Sequence, residues 1–188
     1  MKTKILLALL LAISIQTSAQ FTIIEKPTYR VVYDTTLHVP HLADWLLKPT
    51  DLGNIRREPS WRFTSDVPEV LTRPNHNDYT HSGYDRGHMV PAFDRSASLL
   101  DMRSTFMMSN IAPQTPALNR GAWKVTEDSC RKLACMFDSV HVVACPVFLL
   151  SDTARIGKSR IAVPQAFFKA VWTASSDSVL SCWFFFNR

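Results

Sequence analysis

Short apolar runs alternate with polar, proline-containing segments along most of this chain. Runs of four to eight residues that are rich in aromatic and β-branched side chains are typical of β-strands. The pattern predicts strands at residues 29–33, 44–47, 106–108, 140–144, 166–172 and 179–186. Residues 50–80 are polar and contain several prolines, so we expect a long irregular region there. Loops of that length are uncommon in compact domains unless they are functional or mobile.

One helix is predicted after residue 114. Thr115 can cap it and Pro116 suits its first position, and an apolar rhythm follows through Leu118, Ala122, Val125 and Leu133. A glycine at position 121 weakens the prediction by about 1 kcal/mol relative to alanine. In one continuous helix, Asn119, Trp123 and Glu127 would form a single stripe, because they are spaced four residues apart.

The N-terminus has the pattern of an export signal. Lys2 and Lys4 precede an apolar run at residues 5–15, and small residues at Thr17 and Ala19 favour cleavage before Gln20. The apolar run is shorter than the roughly 20 residues that span a bilayer. We therefore expect residues 1–19 to be a signal peptide and residues 20–188 to be a single domain. The expected location is secreted or periplasmic, without stable membrane association.

Net charge and cysteine content exclude few of the possible functions. The net charge of +5 falls to +3 without residues 1–19, which contain two lysines and no acid. That bias is compatible with a polyanionic substrate but does not by itself argue for one. The four cysteines form no CxxC pair, which disfavours a structural zinc site. Cys130 and Cys135 should lie on different helix faces, so buried free thiols are at least as expected as a disulfide.

The segment from Tyr84 to Ala92 carries the chemistry. It places Asp85, Arg86, Gly87 and His88 in succession. Alone, such residues are more often surface charges and a turn than a site. Together they could attack a phosphodiester: an imidazole can take a proton near neutral pH, and a guanidinium can donate to a phosphate oxygen. Gly87 would let the backbone turn so that both groups reach one small volume.

A second cluster could supply a metal. Mg²⁺ prefers oxygen ligands and keeps several waters, so the amide oxygen of Asn119 and the carboxylate of Glu127 would suffice as protein groups. An asparagine in a first helical turn is more often a cap, and a glutamate on a helix is more often a solvated surface residue. The metal-binding interpretation therefore depends on the first cluster being a site. Trp123 is interpreted as a core residue.

The two clusters together resemble the DNA/RNA non-specific endonuclease family, the ββα-metal nucleases. The matching strings are SGYDRGH at 82–88 with Pro91 and Ala92, SNIAPQ at 109–114, Leu118 with Asn119, then Trp123, Glu127 and VPQAFFK at 163–169. The resemblance implies an α+β fold, in which the metal-site helix packs on a central, mostly antiparallel sheet. Two departures are a cysteine before Pro146 and a chain shorter than is usual for the family, which would make the domain minimal or C-terminally shortened.

The resemblance also implies roles for individual residues. Asn119 would hold a single Mg²⁺, or Mn²⁺ in its place, and Glu127 would position metal-bound water. His88 would be the general base, and Arg86 would contact the substrate phosphate. Asp85, Asn110 and Gln114 would support the site.

A further catalytic arginine lies upstream in the family. Arg57 is our choice for it, and Arg56 and Arg62 are the alternatives. The implied substrates are DNA and RNA, cut with little sequence preference to leave 5′-phosphate ends. The sequence is compatible with a homodimer.

Two other functions are weighed against this one. The chain could be a nucleic-acid-binding protein that keeps the scaffold and has impaired catalysis. It could also be a zinc hydrolase using His76, His81, His88 and Asp85, although no helical His-x-x-x-His pair supports that interpretation.

Overall fold

The structure is a computed structural model, and it describes residues 21–69, 71–149, 152–176 and 178–188. The predicted signal peptide, residues 1–19, lies outside the described residues. Within the described ranges, no helix is both long and apolar enough to cross a membrane.

Most of the ten described strands belong to one sheet. In chain order the strands are β1 Phe21–Lys26, β2 Tyr29–Asp34, β3 Val39–Leu47, β4 Asp85–His88, β5 Ile111–Gln114, β6 Val140–Val147, β7 Arg155–Ile156, β8 Ile161–Ala162, β9 Ala166–Thr173 and β10 Val179–Phe186. The main sheet has the order β1-β2-β3-β6-β9-β10, and each neighbouring pair is antiparallel. The antiparallel sheet and five of the six predicted strands are thus confirmed.

The sixth predicted strand, at residues 106–108, is wrong. Met107 makes only an isolated bridge to Thr64, and Met108–Asn110 form a 3₁₀ turn before β5 begins at Ile111. Phe106 and Met108 are buried and Met107 is partly buried, while the buried amide of Asn110 makes hydrogen bonds to loop backbone at Val90 and Thr105. The irregular region at 50–80 is confirmed, since its described residues contain only short 3₁₀ turns.

The predicted single helix is two helices. Helix α1, Leu99–Ser104, comes earlier in the chain, and the two helices that replace the predicted one are α2 Pro116–Arg120 and α3 Ala122–Phe137. Thr115 caps α2 as expected, with its side chain accepting from the backbone nitrogen of Leu118. Gly121 then leaves helical geometry, at φ −106° and ψ −110°. A Cβ at this position would collide with the backbone oxygen of Ala117, so the break accommodates only glycine without adjustment.

The helix α3 packs on the main sheet by a face that the apolar rhythm did not identify. Its buried residues are Trp123, Thr126, Cys130 and Ala134, whereas Val125 is 62% exposed. The Trp123 ring meets the Phe167 ring of β9 edge-on, with centroids 5.5 Å apart.

All four cysteines are free thiols; Cys130 and Cys145 are buried, and Cys135 and Cys182 are exposed.

Two short strand pairs lie outside the main sheet, and one of them organises the candidate site. In that pair, β4 and β5 run antiparallel, with His88 opposite Ile111 and Asp85 opposite Gln114. This ladder joins the SGYDRGH string at 82–88 to the SNIAPQ string at 109–114, which comes just before the helix that carries Asn119. The other pair, β7 with β8, is a hairpin of two-residue strands.

Candidate active site

Strand geometry, and not a turn, brings Arg86 and His88 to one side of β4. Alternate residues of a strand share a face, so these two side chains project together while Asp85 and Gly87 occupy the opposite face. The proposed turn at Gly87 is therefore wrong. Glycine is needed there because an added Cβ would overlap the side chain of Gln114, which fills the space beside it.

The amide of Asn119 is oriented by Asp85. Nδ2 of Asn119 donates to Oδ2 of Asp85 at 2.9 Å. A carboxylate can only accept hydrogen bonds, so it must face the NH₂ group and leave the amide oxygen pointing away. Within the part of the chain that the structure describes, Oδ1 of Asn119 accepts no hydrogen bond. That oxygen is a suitable ligand for a hard cation.

Asp85 is held in its ionised form by a second partner. Arg120 donates to both of its carboxylate oxygens, at 2.8 Å and 2.7 Å. Hydrogen bonds from Arg120 are the main cause that lowers the pKa of Asp85, and the bond from Asn119 adds to them. Asp85 is therefore placed to orient the Asn119 amide, which is consistent with the supporting role that the resemblance implied for it.

His88 is packed between aromatic rings. Its ring centroid lies 5.4 Å from that of Phe63 and 5.0 Å from that of Phe106. Its backbone oxygen accepts from Nε1 of Trp123 at 3.2 Å, which ties β4 to α3. Nε2 is buried and has no hydrogen-bond partner among the described residues. Burial, together with the positive charge of Arg57, lowers the pKa of His88 to about 3, so the imidazole is neutral at physiological pH.

The same two rings support the upstream arginine. The guanidinium carbon of Arg57 lies 4.9 Å from the Phe106 ring centre and 5.7 Å from that of Phe63. Arg62 also acts electrostatically on this area, because its charge helps to lower the pKa of His76. Of the three arginines considered from the sequence, only Arg57 has a described contact with the rings that hold His88. Arg56 is exposed and has no described contact there.

Arg86 is anchored by backbone and not by a carboxylate. Its Nη2 and Nε donate to the backbone oxygen of His76, at 2.6 Å and 3.3 Å. The guanidinium carbon lies 5.5 Å from the Tyr79 ring centre and 5.9 Å from that of Phe63. In the described ranges, Arg57, Arg62 and Arg86 form no ion pair with an acid, so their charges are available to a phosphate.

Glu127 lies in α3 beside a group of buried charges. Desolvation raises its pKa to about 7, and the charge of Lys169 opposes that rise. Lys169 is fully buried in β9, with Nζ 4.0 Å from the centre of the Trp123 ring and no hydrogen-bond partner among the described residues. Glu127 is thus poised between its two protonation states near neutral pH.

The two remaining candidates, Asn110 and Gln114, hold the backbone of the site in place. The buried amide of Asn110 donates to the backbone oxygens of Val90 and Thr105 and accepts from the nitrogen of Val90, which fixes the chain after His88. Gln114 is buried beside Gly87, and neither atom of its amide has a described partner.

Sequence reasoning missed three residues of the site: Phe63, Phe106 and Lys169. The first two provide the ring surfaces for His88 and Arg57, yet an isolated aromatic residue carries no signal of that role. Lys169 could have been noticed, because it is a charged residue within an apolar run that was predicted to be a strand. A lysine is rarely fully buried unless it has a partner, so its position there indicates a special role.

The donor set fits Mg²⁺ better than zinc. Among the described residues, no group of three or more His, Cys, Asp or Glu side chains could hold a metal ion. The zinc interpretation based on His76, His81, His88 and Asp85 is therefore wrong. An amide oxygen held in a fixed orientation, with water as the other ligands, is typical of Mg²⁺ sites.

The chain is similar to a known protein family over most of its length. The family described as DNA/RNA non-specific endonuclease matches residues 8–185. A nuclease of Nostoc sp. is 34% identical over 146 residues, covering 78% of this chain and 52% of the relative. Mitochondrial endonuclease G of Bos taurus is 39% identical over 157 residues, with the same two coverages.

A solved structure, titled as the EndoG/EndoGI complex and the mechanism of EndoG inhibition, has the same fold. It superposes with a TM-score of 0.80 at 27% identity, covering 88% of this chain and 74% of that one. The chain spans about half the length of these curated relatives.

Proposed function

This chain belongs to the DNA/RNA non-specific endonuclease family, and we propose that it is a Mg²⁺-dependent endonuclease that hydrolyses phosphodiester bonds in both DNA and RNA. One observation carries the proposal. Strand β4 holds, within four residues, a neutral imidazole, a guanidinium with no acid partner among the described residues, and the carboxylate that orients the Asn119 amide.

His88 is proposed as the general base. A neutral imidazole can accept a proton from the attacking water. Its low pKa in the free protein makes it a weak base, but a bound phosphate would offset the charge of Arg57, one of the two causes of that low value. Substrate binding would thereby raise the pKa of His88 when the proton has to be taken.

Arg86 and Arg57 are proposed to bind the phosphate. Both guanidinium groups rest against aromatic rings and lack carboxylate partners in the described ranges, so they can donate to phosphoryl oxygens. Such contacts read the backbone and not the base edges, which accounts for cleavage with little sequence preference.

The cation would be held by Oδ1 of Asn119. When bound, Mg²⁺ neutralises charge on the phosphoryl and leaving oxygens. Glu127, whose pKa of about 7 leaves it partly ionised at neutral pH, would orient water at the cation. As the water oxygen bonds to phosphorus, the P–O3′ bond breaks, so one fragment ends in a 3′-hydroxyl and the phosphate stays on the 5′ oxygen of the other fragment.

The test uses residues 20–188, purified and incubated with supercoiled DNA and with RNA. We expect both to be degraded with Mg²⁺ and neither with EDTA. The variants His88→Ala and Asn119→Ala should stay folded and lose turnover, whereas a lysine variant on the exposed face of α3, Lys124→Ala, should retain it. Binding without cleavage by the unmodified protein would favour the alternative, a catalytically impaired nucleic-acid-binding protein. Undiminished cleavage by His88→Ala would remove the assignment of the base.

We also propose that residues 1–19 direct export and are removed near Ala19. The two lysines followed by a short apolar run support this. Expression of the full chain in a bacterium, followed by N-terminal sequencing of protein outside the cytoplasm, should give Gln20 as the first residue. Full-length protein that stays in the cytoplasm would contradict the proposal.

A further inference from the structure

Asn187, which follows β10, joins three parts of the chain through one side chain. Its Nδ2 donates to the backbone oxygens of Pro113 and Pro164, at 3.0 Å and 2.9 Å. Its Oδ1 accepts from the backbone nitrogen of Thr115 at 2.8 Å. The amide thus uses both of its donor hydrogens and its oxygen in bonds to backbone groups.

Thr115 is the residue through which the start of α2 is fixed. Its side chain caps the helix by accepting from the nitrogen of Leu118, and its backbone oxygen accepts from the nitrogen of Asn119 at 2.9 Å. Two consecutive hydrogen bonds therefore lead from the side chain of Asn187, through the backbone of Thr115, to Asn119.

The other end of this connection lies on the main sheet. The backbone nitrogen of Asn187 donates to the oxygen of Gln165 at 2.9 Å, in the segment that leads into β9. Asn187 also continues β10, whose seven paired residues run along β9. The side chain is therefore anchored in the sheet on one side and holds the helix start on the other.

The helix α2 needs such an anchor. It has only five residues, and the break at Gly121 separates it from α3, which packs on the sheet. Helices this short are not stable by themselves, because forming the first turn is costly and too few hydrogen bonds follow. The orientation of Asn119 therefore depends on contacts made from outside α2.

We propose that Asn187 is a positioning residue for the cation-binding amide of Asn119. This role rests on the proposed function, in which Oδ1 of Asn119 holds the cation. Asp85 fixes the rotation of the Asn119 amide, and Asn187 fixes the helix start from which that side chain projects. Loss of Asn187 should weaken cation binding and leave the chemistry of His88 and Arg86 intact.

Mn²⁺ binding, followed by electron paramagnetic resonance on residues 20–188, tests the proposal directly. We expect Asn187→Ala to bind Mn²⁺ roughly ten-fold more weakly, in keeping with the loss of a few hydrogen bonds. The Mg²⁺ concentration that gives half-maximal cleavage should rise by a similar factor. The kcat at saturating Mg²⁺ should stay within about two-fold of the original, since added cation compensates for weaker binding.

Two further variants separate this role from a general loss of stability. Phe184→Ala shortens a half-exposed side chain of the same strand and leaves the Asn187 contacts in place, so its Mn²⁺ affinity should not change. Equal weakening in Phe184→Ala and Asn187→Ala, or unchanged affinity in a folded Asn187→Ala, would overturn the proposal. If Asn119→Ala binds Mn²⁺ as well as the original protein, the cation site in the proposed function has failed instead.

A measurement on the unmodified protein covers the case in which Asn187→Ala does not fold. If Asn187 supports the cation site, cation binding must stabilise the Asn187 contacts in return, because coupling between two events is reciprocal. Mg²⁺ should therefore slow hydrogen exchange of the Thr115 amide, and it should do so less in Asn119→Ala. An exchange rate that Mg²⁺ leaves unchanged would contradict the proposal.

Discussion

Nδ2 of Asn119 lies 2.9 Å from Oδ2 of Asp85, although 34 positions separate the two residues in the chain. The variant Asp85→Asn replaces an obligate acceptor by an amide that can present either end to Asn119. We expect the metal requirement to rise and cleavage to fall by about 10–100-fold, as is common when the partner of a metal ligand is lost. Initial rates measured across a Mg²⁺ titration would show both effects.

Arg120→Gln provides the matched control. It removes the ion pair to Asp85 and leaves Asp85 able to accept the hydrogen bond from Asn119. Arg120 is largely exposed, and exposed ion pairs contribute little. Rates should therefore stay close to those of the original protein. An Asp85→Asn variant with an unchanged Mg²⁺ titration would contradict the role given to Asp85.

Gly87→Ala should damage the site by crowding. The new Cβ would overlap the side chain of Gln114, and overpacking of a buried position typically costs about 1–3 kcal/mol. We expect a lower melting temperature and a large loss of cleavage, because β4 carries both Arg86 and His88. Thermal unfolding and initial rates would be measured together.

A second substitution tests the cause. The double variant Gly87→Ala, Gln114→Ala lacks the Gln114 side-chain atoms that the new Cβ would meet. The Gln114 amide has no described hydrogen bond that the second substitution would remove. Stability and cleavage should be higher in this double variant than in Gly87→Ala alone. If the double variant is the weaker of the two, the need for glycine has another cause.

Lys169→Met should shift the pH dependence of cleavage. The charge of Lys169 lowers the pKa of Glu127, which lies at about 7, so its removal should raise that pKa. If the ionised carboxylate is the active form, the activity of Lys169→Met should rise at a higher pH than that of the original protein. A bound cation lowers the same pKa in both proteins, so the comparison between them keeps its sign.

The measurement is a pH profile of kcat at saturating Mg²⁺ over about pH 5–9, a range that brackets the Glu127 pKa. Glu127→Gln, which cannot titrate, should lack this acidic limb and show lower activity throughout. An acidic limb that Lys169→Met moves to lower pH, or does not move, would contradict the electrostatic link.

His88 should make the fold less stable in acid. Its pKa in the folded protein is about 3, below the ordinary 6.5, so folding favours the neutral ring. The stabilisation is complete above pH 6.5 and is lost as the pH falls through the interval down to about 3. In EDTA, the melting temperature of the original protein should therefore fall relative to that of His88→Leu as the pH is lowered. A difference that is constant with pH would show that His88 is not held neutral by the fold.

The sequence was informative where the signal is local. The strand run at residues 179–186 and the cap at Thr115 with Pro116 each depend on near neighbours, and the structure has both as predicted. The support role of Asp85 came from the family resemblance, and the hydrogen bond that it accepts from Asn119 is consistent with that role.

Features set by distant contacts were not predictable. The break at Gly121 depends on how α2 is fixed at Thr115, and the buried face of α3 depends on the position of Phe167 in β9. Nothing near Phe63 or Phe106 in the sequence indicates that their rings will meet His88. These residues come together only when the loop of residues 50–80 packs against the segment before β5.

Arg57, Arg62 and Arg86, which have no acid partner in the part of the chain that the structure describes, also determine how the protein should respond to dissolved salt. Under the proposed function, these guanidinium groups neutralise phosphates of the nucleic acid. Each neutralised phosphate releases the cations condensed around it, so binding is driven partly by the entropy of the released ions. Affinity should therefore fall steeply as salt concentration rises, and the fall should be steeper for duplex than for single-stranded substrates. Inorganic phosphate and sulfate, which offer the same oxygens, should act as competitors.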